Sequence, residues 1–289
     1  MRSGVRLLLL AALLAFAAGC NPKKEEEPVP NNQNQNNSNA NNNNNNNNNN
    51  TNNQGNTNSN EPDPSKIELP GDNIKIADLL TSEVYKNLVV EIVGTPPSSR
   101  AIGNLTFFLQ QRIQKSKVII RLIKGPALKV DSVGLGHLKQ YEKDNRKKSV
   151  VGDTVFVWVE FLNARSNNKT ANFKLSDTYG KSSIAVYAKT LNDLTLPDMI
   201  TRFTLETYLL EHEFGHLLGL VNGGTSMKTP HQDEAHGNHC TNKQCLMYWI
   251  ADENIRLEDL LSGMNLGSTE VLPILDANCV QDLQAAGGK

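Results

Sequence analysis

A long asparagine-rich stretch limits which part of this chain can fold. Between residues 31 and 60, 21 of 30 residues are Asn, and most of the others are Gln, Ser or Thr. Such a segment buries too little apolar surface to offset the conformational entropy lost on folding, so we expect a disordered polar tether. The folded part is therefore confined to residues 61–289, a length that suits one domain with a substantial core.

The residues before the tether have the organisation of an export signal. Arg2 and Arg6 precede an apolar run over residues 7–18, which is short for a membrane span and leads into Ala-Ala-Gly-Cys. This arrangement resembles a bacterial lipoprotein signal, which implies that residues 1–19 are removed and that Cys20 becomes the lipidated N-terminus. An ordinary secretory signal with an incidental cysteine is the alternative.

Both alternatives place the folded domain outside the cytoplasm. On the lipoprotein interpretation, residues 20–60 are a lipid anchor and tether, and the chain contacts the membrane through Cys20. Residues 21–27, Asn-Pro-Lys-Lys-Glu-Glu-Glu, resemble signals that send some lipoproteins to the outer face of the outer membrane. An ordinary solvated charge run is the alternative. We expect an outer-membrane lipoprotein that faces either the cell surface or the periplasm.

Candidate chemistry is concentrated in one short segment, His-Glu-Phe-Gly-His at residues 212–216. Apolar residues recur around it at helical spacing, and on a helix His212 and His216 lie one turn apart on the same face. Two imidazoles so placed can bind one metal ion, while Glu213 is placed to take a proton from a water that the metal activates. This is the HExxH pattern of zinc hydrolases, and it predicts Zn2+ as the cofactor.

A catalytic zinc site usually has three protein ligands, so a third must come from beyond this helix. Gly219, three residues after His216, allows a left-handed turn that ends the helix sharply. Here the sequence resembles the metzincins, whose signature is HExxHxxGxxH followed by a methionine-containing turn. The chain departs from that signature, because Asn222 stands where the third histidine is expected.

A later string, His-Cys-x4-Cys-x-Met at residues 239–247, resembles the one that closes the motif in the archaemetzincin branch. The resemblance implies that His239 is the third metal ligand and that Met247 is the residue of the Met-turn. A long loop can also return other donors to the metal. Three residues of the loop therefore remain alternative ligands: His236, His231 and Asp233.

The cysteines suggest a disulfide. Four are present, and if Cys20 carries lipid, three remain: Cys240, Cys245 and Cys279. In an oxidising compartment one disulfide and one free thiol is the simplest arrangement, and a Cys240–Cys245 bond that stiffens the loop after the third ligand is our hypothesis. Other archaemetzincins carry additional cysteines that hold a second, structural zinc. This chain has no CxxC pair, which argues against a second site.

Hydrophobic patterning predicts an α+β fold with a mixed sheet over two helices. We expect strands at residues 87–93, 117–123, 154–162 and 182–189, and helices at 98–114, 197–218 and 274–286. By resemblance the layout is metzincin-like, with an active-site helix, a Met-turn and a C-terminal helix, and strand 182–189 is the expected edge strand for an extended substrate.

The remaining segments have weaker patterns. Residues 131–148 are expected to be rich in loops, and residues 177–180 to form a turn. Residues 61–86 are interpreted as either a short pro-segment or a lead-in to the domain. Asp276 and Asp282, on the C-terminal helix, are expected to be solvated.

We therefore predict a zinc-dependent endopeptidase that acts on proteins or peptides, with Glu213 as general base and then general acid. Two alternatives stay open: a zinc-binding surface lipoprotein of adhesion or binding function without proteolysis, and an amide hydrolase acting on the cell wall. Glu213 favours hydrolysis, because a structural zinc closed by four protein ligands needs no adjacent base. The net charge of −1 gives no reason to expect nucleic acid, and we expect a monomer.

Overall fold

The computed structural model of the protein describes residues 61–167, 174–196, 201–251 and 272–289. The predicted signal segment, lipid anchor and tether lie outside these residues. The described α-helices are α1 (Ile76–Leu80), α2 (Ser99–Arg112), α3 (Leu135–Asn145), α4 (Ala188–Asp193), α5 (Arg202–Leu217) and α6 (Ala277–Ala285). The described strands are β1 (Asn87–Gly94), β2 (Lys117–Ile123), β3 (Ser132–Val133), β4 (Val150–Val151), β5 (Thr154–Leu162), β6 (Arg165–Ser166), β7 (Ser176–Gly180) and β8 (Ser183–Tyr187). No helix in these ranges is long and apolar enough to cross a membrane.

The main sheet is mixed, as predicted. Its strands follow the order β2-β1-β5-β8-β7, with β4 paired to β5 beside that path. The first four strands of this order are parallel, and β7 is antiparallel to β8. The inner strands β1 and β5 are buried along almost their whole length, which explains why they appear in the sequence as near-continuous apolar runs.

Helices cover both faces of the sheet, which gives three layers. On one face α2 and α5 pack over the apolar side chains of β1, β5 and β8. Helix α2 begins where the sequence predicts, with the Ser98 hydroxyl accepting a hydrogen bond from the Ala101 N–H at 3.2 Å. Helix α3 lies on the other face and buries Leu138 and Tyr141. The expectation that residues 131–148 are mainly loop is therefore wrong.

The edge of the sheet next to α5 differs from our prediction. Residues 177–180 are not a turn but most of β7, which pairs with β8 on one side and ends the strand order of the described sheet. Strand β8, predicted at residues 182–189 as the edge, has neighbours on both sides. A strand paired on both sides has no free backbone edge, so the edge strand on this side of the described sheet is β7 and not β8.

Residues 61–80 pack onto the domain as an integral part of it. Ile74, Leu79 and Leu80 are buried in the main core. The Lys115 ammonium, at the start of β2, donates hydrogen bonds to the carbonyls of Asp78, Thr81 and Tyr85. These contacts favour the lead-in interpretation over a detachable pro-segment.

A buried polar network lies between β7 and α3. The Tyr179 hydroxyl is 2.8 Å from Glu142 Oε2 and 3.0 Å from Glu160 Oε1, and Arg146 donates to Glu142 at 2.6 Å. Trp158 Nε1 donates to Glu160 at 2.9 Å. Burial raises the pKa of Glu160 well above 4.5, with the Glu142 carboxylate acting in the same direction. Burial therefore keeps Glu160 in its neutral, protonated form to a higher pH than an exposed glutamate.

Candidate metal centre

Helix α5, which contains His212, Glu213 and His216, is buried along most of its length. Its residues from Thr204 to Gly215 are buried, and the exposed fraction of His212 and of Glu213 is 0%. The helix stops just before Gly219, which has φ +73°, as the left-handed turn predicted from the sequence requires. A Cβ at Gly219 would also lie 2.4 Å from Ile76 Cδ1, so both the turn and the packed lead-in segment need glycine here.

Three imidazoles converge at the end of this helix. The ligand nitrogens of His212, His216 and His239 all lie within 4.8 Å of one another, and we call these residues the histidine cluster. His212 Nε2 and His216 Nε2 are 3.1 Å apart. Two nitrogens that share a tetrahedral zinc ion at about 2.05 Å each are about 3.3 Å apart, so the observed spacing fits such an ion.

Backbone carbonyls orient two of these rings. His212 Nδ1 lies 2.7 Å from the carbonyl oxygen of Leu246, and His239 Nδ1 lies 2.5 Å from that of His236. A carbonyl oxygen only accepts, so each Nδ1 carries the proton and each Nε2 keeps its lone pair for a metal. Partners of this kind are what orient metal-binding histidines in proteins.

The alternative ligands lie elsewhere. The ring of His236 stacks on Trp249 with centroids 4.1 Å apart, and its Nδ1 lies 2.7 Å from Asp233 Oδ2. His231 belongs to a different cluster, described below. Asn222, to which we assigned no metal role, donates to Gln232. Of the four candidates for the third ligand, the structure brings His239 to the pair.

Glu213 is held by the edge strand of the sheet. The hydroxyl oxygen of Thr178, on β7, lies 2.7 Å from Glu213 Oε2 and 3.1 Å from the Glu213 carbonyl oxygen. The hydroxyl has one proton, so it donates to one of these oxygens at a time. Sequence reasoning missed Thr178, because a polar five-residue strand gives no hydrophobic signal.

Met247 packs against the turn of α5 that carries His212 and His216. Its side chain is fully buried, and a Cβ added at Gly215 would lie 2.2 Å from its sulfur. The Met247 carbonyl accepts from the Cys240 N–H at 2.8 Å, and the preceding Leu246 carbonyl accepts from His212. The residue predicted for the Met-turn thus lies directly against the helix that carries the histidine pair.

A second group of donors lies beside the first. We call His231, Cys240, Asp276 and Cys279 the mixed cluster; its ligand atoms also lie within 4.8 Å of one another. Cys245 borders it, with its sulfur 3.6 Å from that of Cys279. Four protein donors that include nitrogen and sulfur suit a closed structural zinc site.

Two aspartates, one inside the mixed cluster and one beside it, make hydrogen bonds to its other residues. Asp276 caps α6 by accepting from the Cys279 N–H at 3.0 Å, and its other oxygen lies 3.4 Å from the Cys240 sulfur. Asp282 Oδ2 lies 2.9 Å from His231 Nε2 and is 1% exposed. The expectation that Asp282 is solvated is therefore wrong, and Asp276 is half-buried and hydrogen-bonded. The missing CxxC pair did not reveal this group of donors. The signal we missed is Asp-x-x-Cys, with a carboxylate in place of the first thiol.

The structure also contradicts the disulfide hypothesis. All three cysteines among the described residues are free and buried. Hydrogen bonds from the Cys240 and Cys279 thiols lower the pKa of the Cys245 thiol to about 4, and the N–H groups of Asp276 and Met247 act in the same direction. The sulfurs of Cys240 and Cys279 lie 3.4 and 3.9 Å from Nδ1 of His231, an arrangement that suits metal binding.

Comparisons with known proteins give distant similarities. No protein-family model matches the chain, and no curated protein matches its sequence. The archaemetzincin of Methanopyrus kandleri is 18% identical, with 71% of this chain and 96% of that one covered and a TM-score of 0.45. A zinc-dependent peptidase from Methanocorpusculum labreanum is 15% identical, with 68% and 99% covered and a TM-score of 0.44.

A third solved structure, the archaemetzincin of Archaeoglobus fulgidus complexed with malonate, is 12% identical over 68% of this chain and 99% of that one, with a TM-score of 0.39. Similarity at this level does not assign the chain to a family. The chemistry of the site therefore has to be derived from its own side chains.

Proposed function

We propose that this protein is a zinc-dependent peptidase. The observation that carries the proposal is the convergence of three imidazoles on one point, next to a buried carboxylate that no ligand position requires. A structural site needs donors alone, whereas a hydrolytic site needs donors, an open position and a base. The histidine cluster together with Glu213 supplies three donors and a base.

His212, His216 and His239 would hold the ion. When bound, zinc supplies a Lewis acid that polarises a carbonyl group and lowers the pKa of water. The Leu246 and His236 carbonyls fix two of the imidazoles before any ion arrives, so little side-chain entropy remains to be lost on binding.

Glu213 moves the proton. In the proposed reaction it accepts a proton from the attacking water, and then delivers that proton to the nitrogen of the leaving amine. The Thr178 hydroxyl fixes the carboxylate from the strand side. No side-chain nucleophile takes part, so the product acid carries the water oxygen.

The edge strand β7 would position an extended substrate. Its outer side ends the described sheet, and Thr178 at its centre contacts Glu213. A peptide added to this edge would run past the proton acceptor with its backbone hydrogen-bonded. Such pairing constrains substrate shape and leaves the amino-acid sequence of the substrate largely free.

We further propose that the mixed cluster binds a second zinc ion with a structural role. Its four donors come from the loop after α5 and from the start of α6, so one ion would tie these two segments together. Asp282 would orient the His231 ring for the ion, as carboxylates commonly do for zinc-binding imidazoles.

The cellular location is proposed from residues 1–60 alone. We propose a monomeric outer-membrane lipoprotein anchored through Cys20, with the peptidase domain carried on the asparagine-rich tether. Replacement of Cys20 by Ser should release the protein from the membrane fraction, and retention of that variant in membranes would contradict the anchor.

The function is tested with a matched pair of variants. Glu213→Gln removes the proton acceptor, and Glu234→Gln makes the same change at an exposed glutamate nearby in the chain. Purified wild-type protein, Glu213→Gln and Glu234→Gln are assayed on casein and on a quenched peptide library, and their zinc content is measured by mass spectrometry.

We expect cleavage by the wild type and by Glu234→Gln, and a loss of about 100-fold or more for Glu213→Gln with its zinc retained. Zinc-loaded wild-type protein without cleavage would contradict the peptidase and support a binding lipoprotein. Cleavage of cell-wall peptides but not of casein would support an amide hydrolase of the cell wall.

A further inference from the structure

A cavity of about 490 Å³ adjoins the histidine cluster. It lies between the lead-in segment, the end of β7 and the end of α5. The residues that line it are Asp72, Ile74, Lys75, Ile76, Thr178, Gly180, Lys181, His216, Leu217 and Gly223. Because it touches both a proposed metal ligand and the residue that holds Glu213, any group bound in it lies beside the reacting bond.

The cavity is positively charged. Lys75 and Lys181 both line it and are exposed, and neither ammonium group has a hydrogen-bond or ion-pair partner among the described residues. Asp72 is the acidic residue of the lining, and its Oδ2 accepts from the Leu69 N–H at 2.8 Å. The lining thus has two positively charged side chains and one carboxylate, and that carboxylate already accepts a hydrogen bond from the backbone.

The cavity continues the proposed substrate path. Gly180 is the last residue of β7, and Lys181 follows it directly. A peptide paired to this edge in extended form therefore runs toward Lys181 and the cavity that Lys75 also lines. Ile74 and Leu217 are buried and give the cavity an apolar floor, which suits the methylene groups that carry a carboxylate.

We propose that this cavity is a substrate subsite for a carboxylate group, with Lys75 and Lys181 as its specificity-determining residues. The inference rests on the proposed peptidase function and names its substrate class: peptides with an acidic side chain, or a free C-terminal carboxylate, at one position beside the scissile bond. Both sources present the same anion to the two ammonium groups.

The experiment compares peptides that differ only in that charge. Amidated peptides with Glu or Gln at each position around the cleavage site separate the side-chain source, and Gln peptides with a free or amidated C-terminus separate the terminal source. The value of kcat/KM is measured for each peptide, and binding to the Glu213→Gln variant is measured by fluorescence anisotropy.

We expect a preference of about threefold to tenfold for one anionic peptide series, since exposed ion pairs contribute modestly and two act together. The preference should fall in high salt. It should be lost in the Lys75→Ala/Lys181→Ala double variant and inverted toward Lys-containing peptides in Lys75→Glu/Lys181→Glu. Lys143→Ala removes an exposed lysine that does not line the cavity and should keep the wild-type preference.

Three results would overturn the inference. Cleavage with equal efficiency for charged and neutral peptides would refute the subsite and leave the peptidase standing. A preference that survives in the Lys75→Ala/Lys181→Ala variant would assign it to other residues. Absence of both cleavage and peptide binding in zinc-loaded protein would refute the peptidase function itself, and the subsite with it.

Discussion

The contact between Gly215 and Met247 allows a sharp test of how the histidine-bearing helix is held. An alanine Cβ at position 215 would lie 2.2 Å from the Met247 sulfur and 3.0 Å from its terminal methyl carbon. Ordinary contacts between such atoms are about 3.5–4.0 Å, so the methionine would have to retreat by more than about 1 Å. Met247 is fully buried and has no solvent to retreat into.

The magnitude follows from two opposing effects. Gly→Ala inside a helix gains about 1 kcal/mol in propensity, and overpacking a core costs about 1–3 kcal/mol. We expect Gly215→Ala to be destabilised by up to about 2 kcal/mol, or a Tm lower by about 2–8 °C for a domain of this size. Zinc affinity should also fall, because Met247 follows the residue whose carbonyl orients His212.

A matched control exists on another helix. Gly103 lies on α2, and a Cβ there meets nothing within 4 Å, so Gly103→Ala should be stabilised by about 0.5–1 kcal/mol. Urea unfolding of both variants gives the comparison, and a Gly215→Ala/Met247→Ala double variant should show a favourable coupling of about 1 kcal/mol or more. Gly215→Ala that is as stable as Gly103→Ala, with full zinc content, would refute this account of the packing.

Three further predictions concern hydrogen bonds. Thr178→Val should lower kcat about fivefold to tenfold with KM little changed, because the variant lacks the hydrogen bond to Glu213. Thr178→Ser keeps the hydroxyl and should restore kcat; equal kinetics for the two variants would contradict the positioning role of Thr178. Because the folded-state pKa of Glu160 is raised, its neutral form stabilises the fold below about pH 4.5, and this stability is lost as pH rises. Glu160→Gln should therefore raise the Tm at pH 8 and leave it nearly unchanged at pH 4; the same shift at both pH values would argue against a buried neutral acid. Asp282→Asn should weaken zinc binding at His231 by about 10-fold to 100-fold in competition titrations, with activity at saturating zinc retained; unchanged affinity would separate Asp282 from the mixed cluster.

The elements with strong hydrophobic patterns were predictable from the sequence, and the polar ones were not. Strands β1, β2 and β5 are β-branched runs and start where predicted. Helix α3 has only three large apolar residues, Leu135, Leu138 and Tyr141, among polar and charged ones, since it covers the sheet from the solvent side. Strand β7 reads Ser-Asp-Thr-Tyr-Gly, a turn-like composition, because an edge strand with one side unpaired presents polar side chains.

The residues of the candidate site likewise include some that the sequence predicts and some that it does not. His212, Glu213 and His216 follow from local spacing on one helix, which the sequence displays directly. His239 came from resemblance, because no local rule measures the span of a loop. The mixed cluster joins His231 to Cys279, 48 residues apart in the chain, through a turn and a helix cap that only the tertiary structure brings together.

Neighbouring residues of one short segment serve different donor sets: His239 belongs to the histidine cluster and Cys240 to the mixed cluster. If zinc occupies both clusters as we propose, a chelator would remove the ion that holds the segment next to His239 as well as the ion of the histidine cluster. Inhibition by a chelator would then combine two losses, and full recovery of activity would require both ions to be restored.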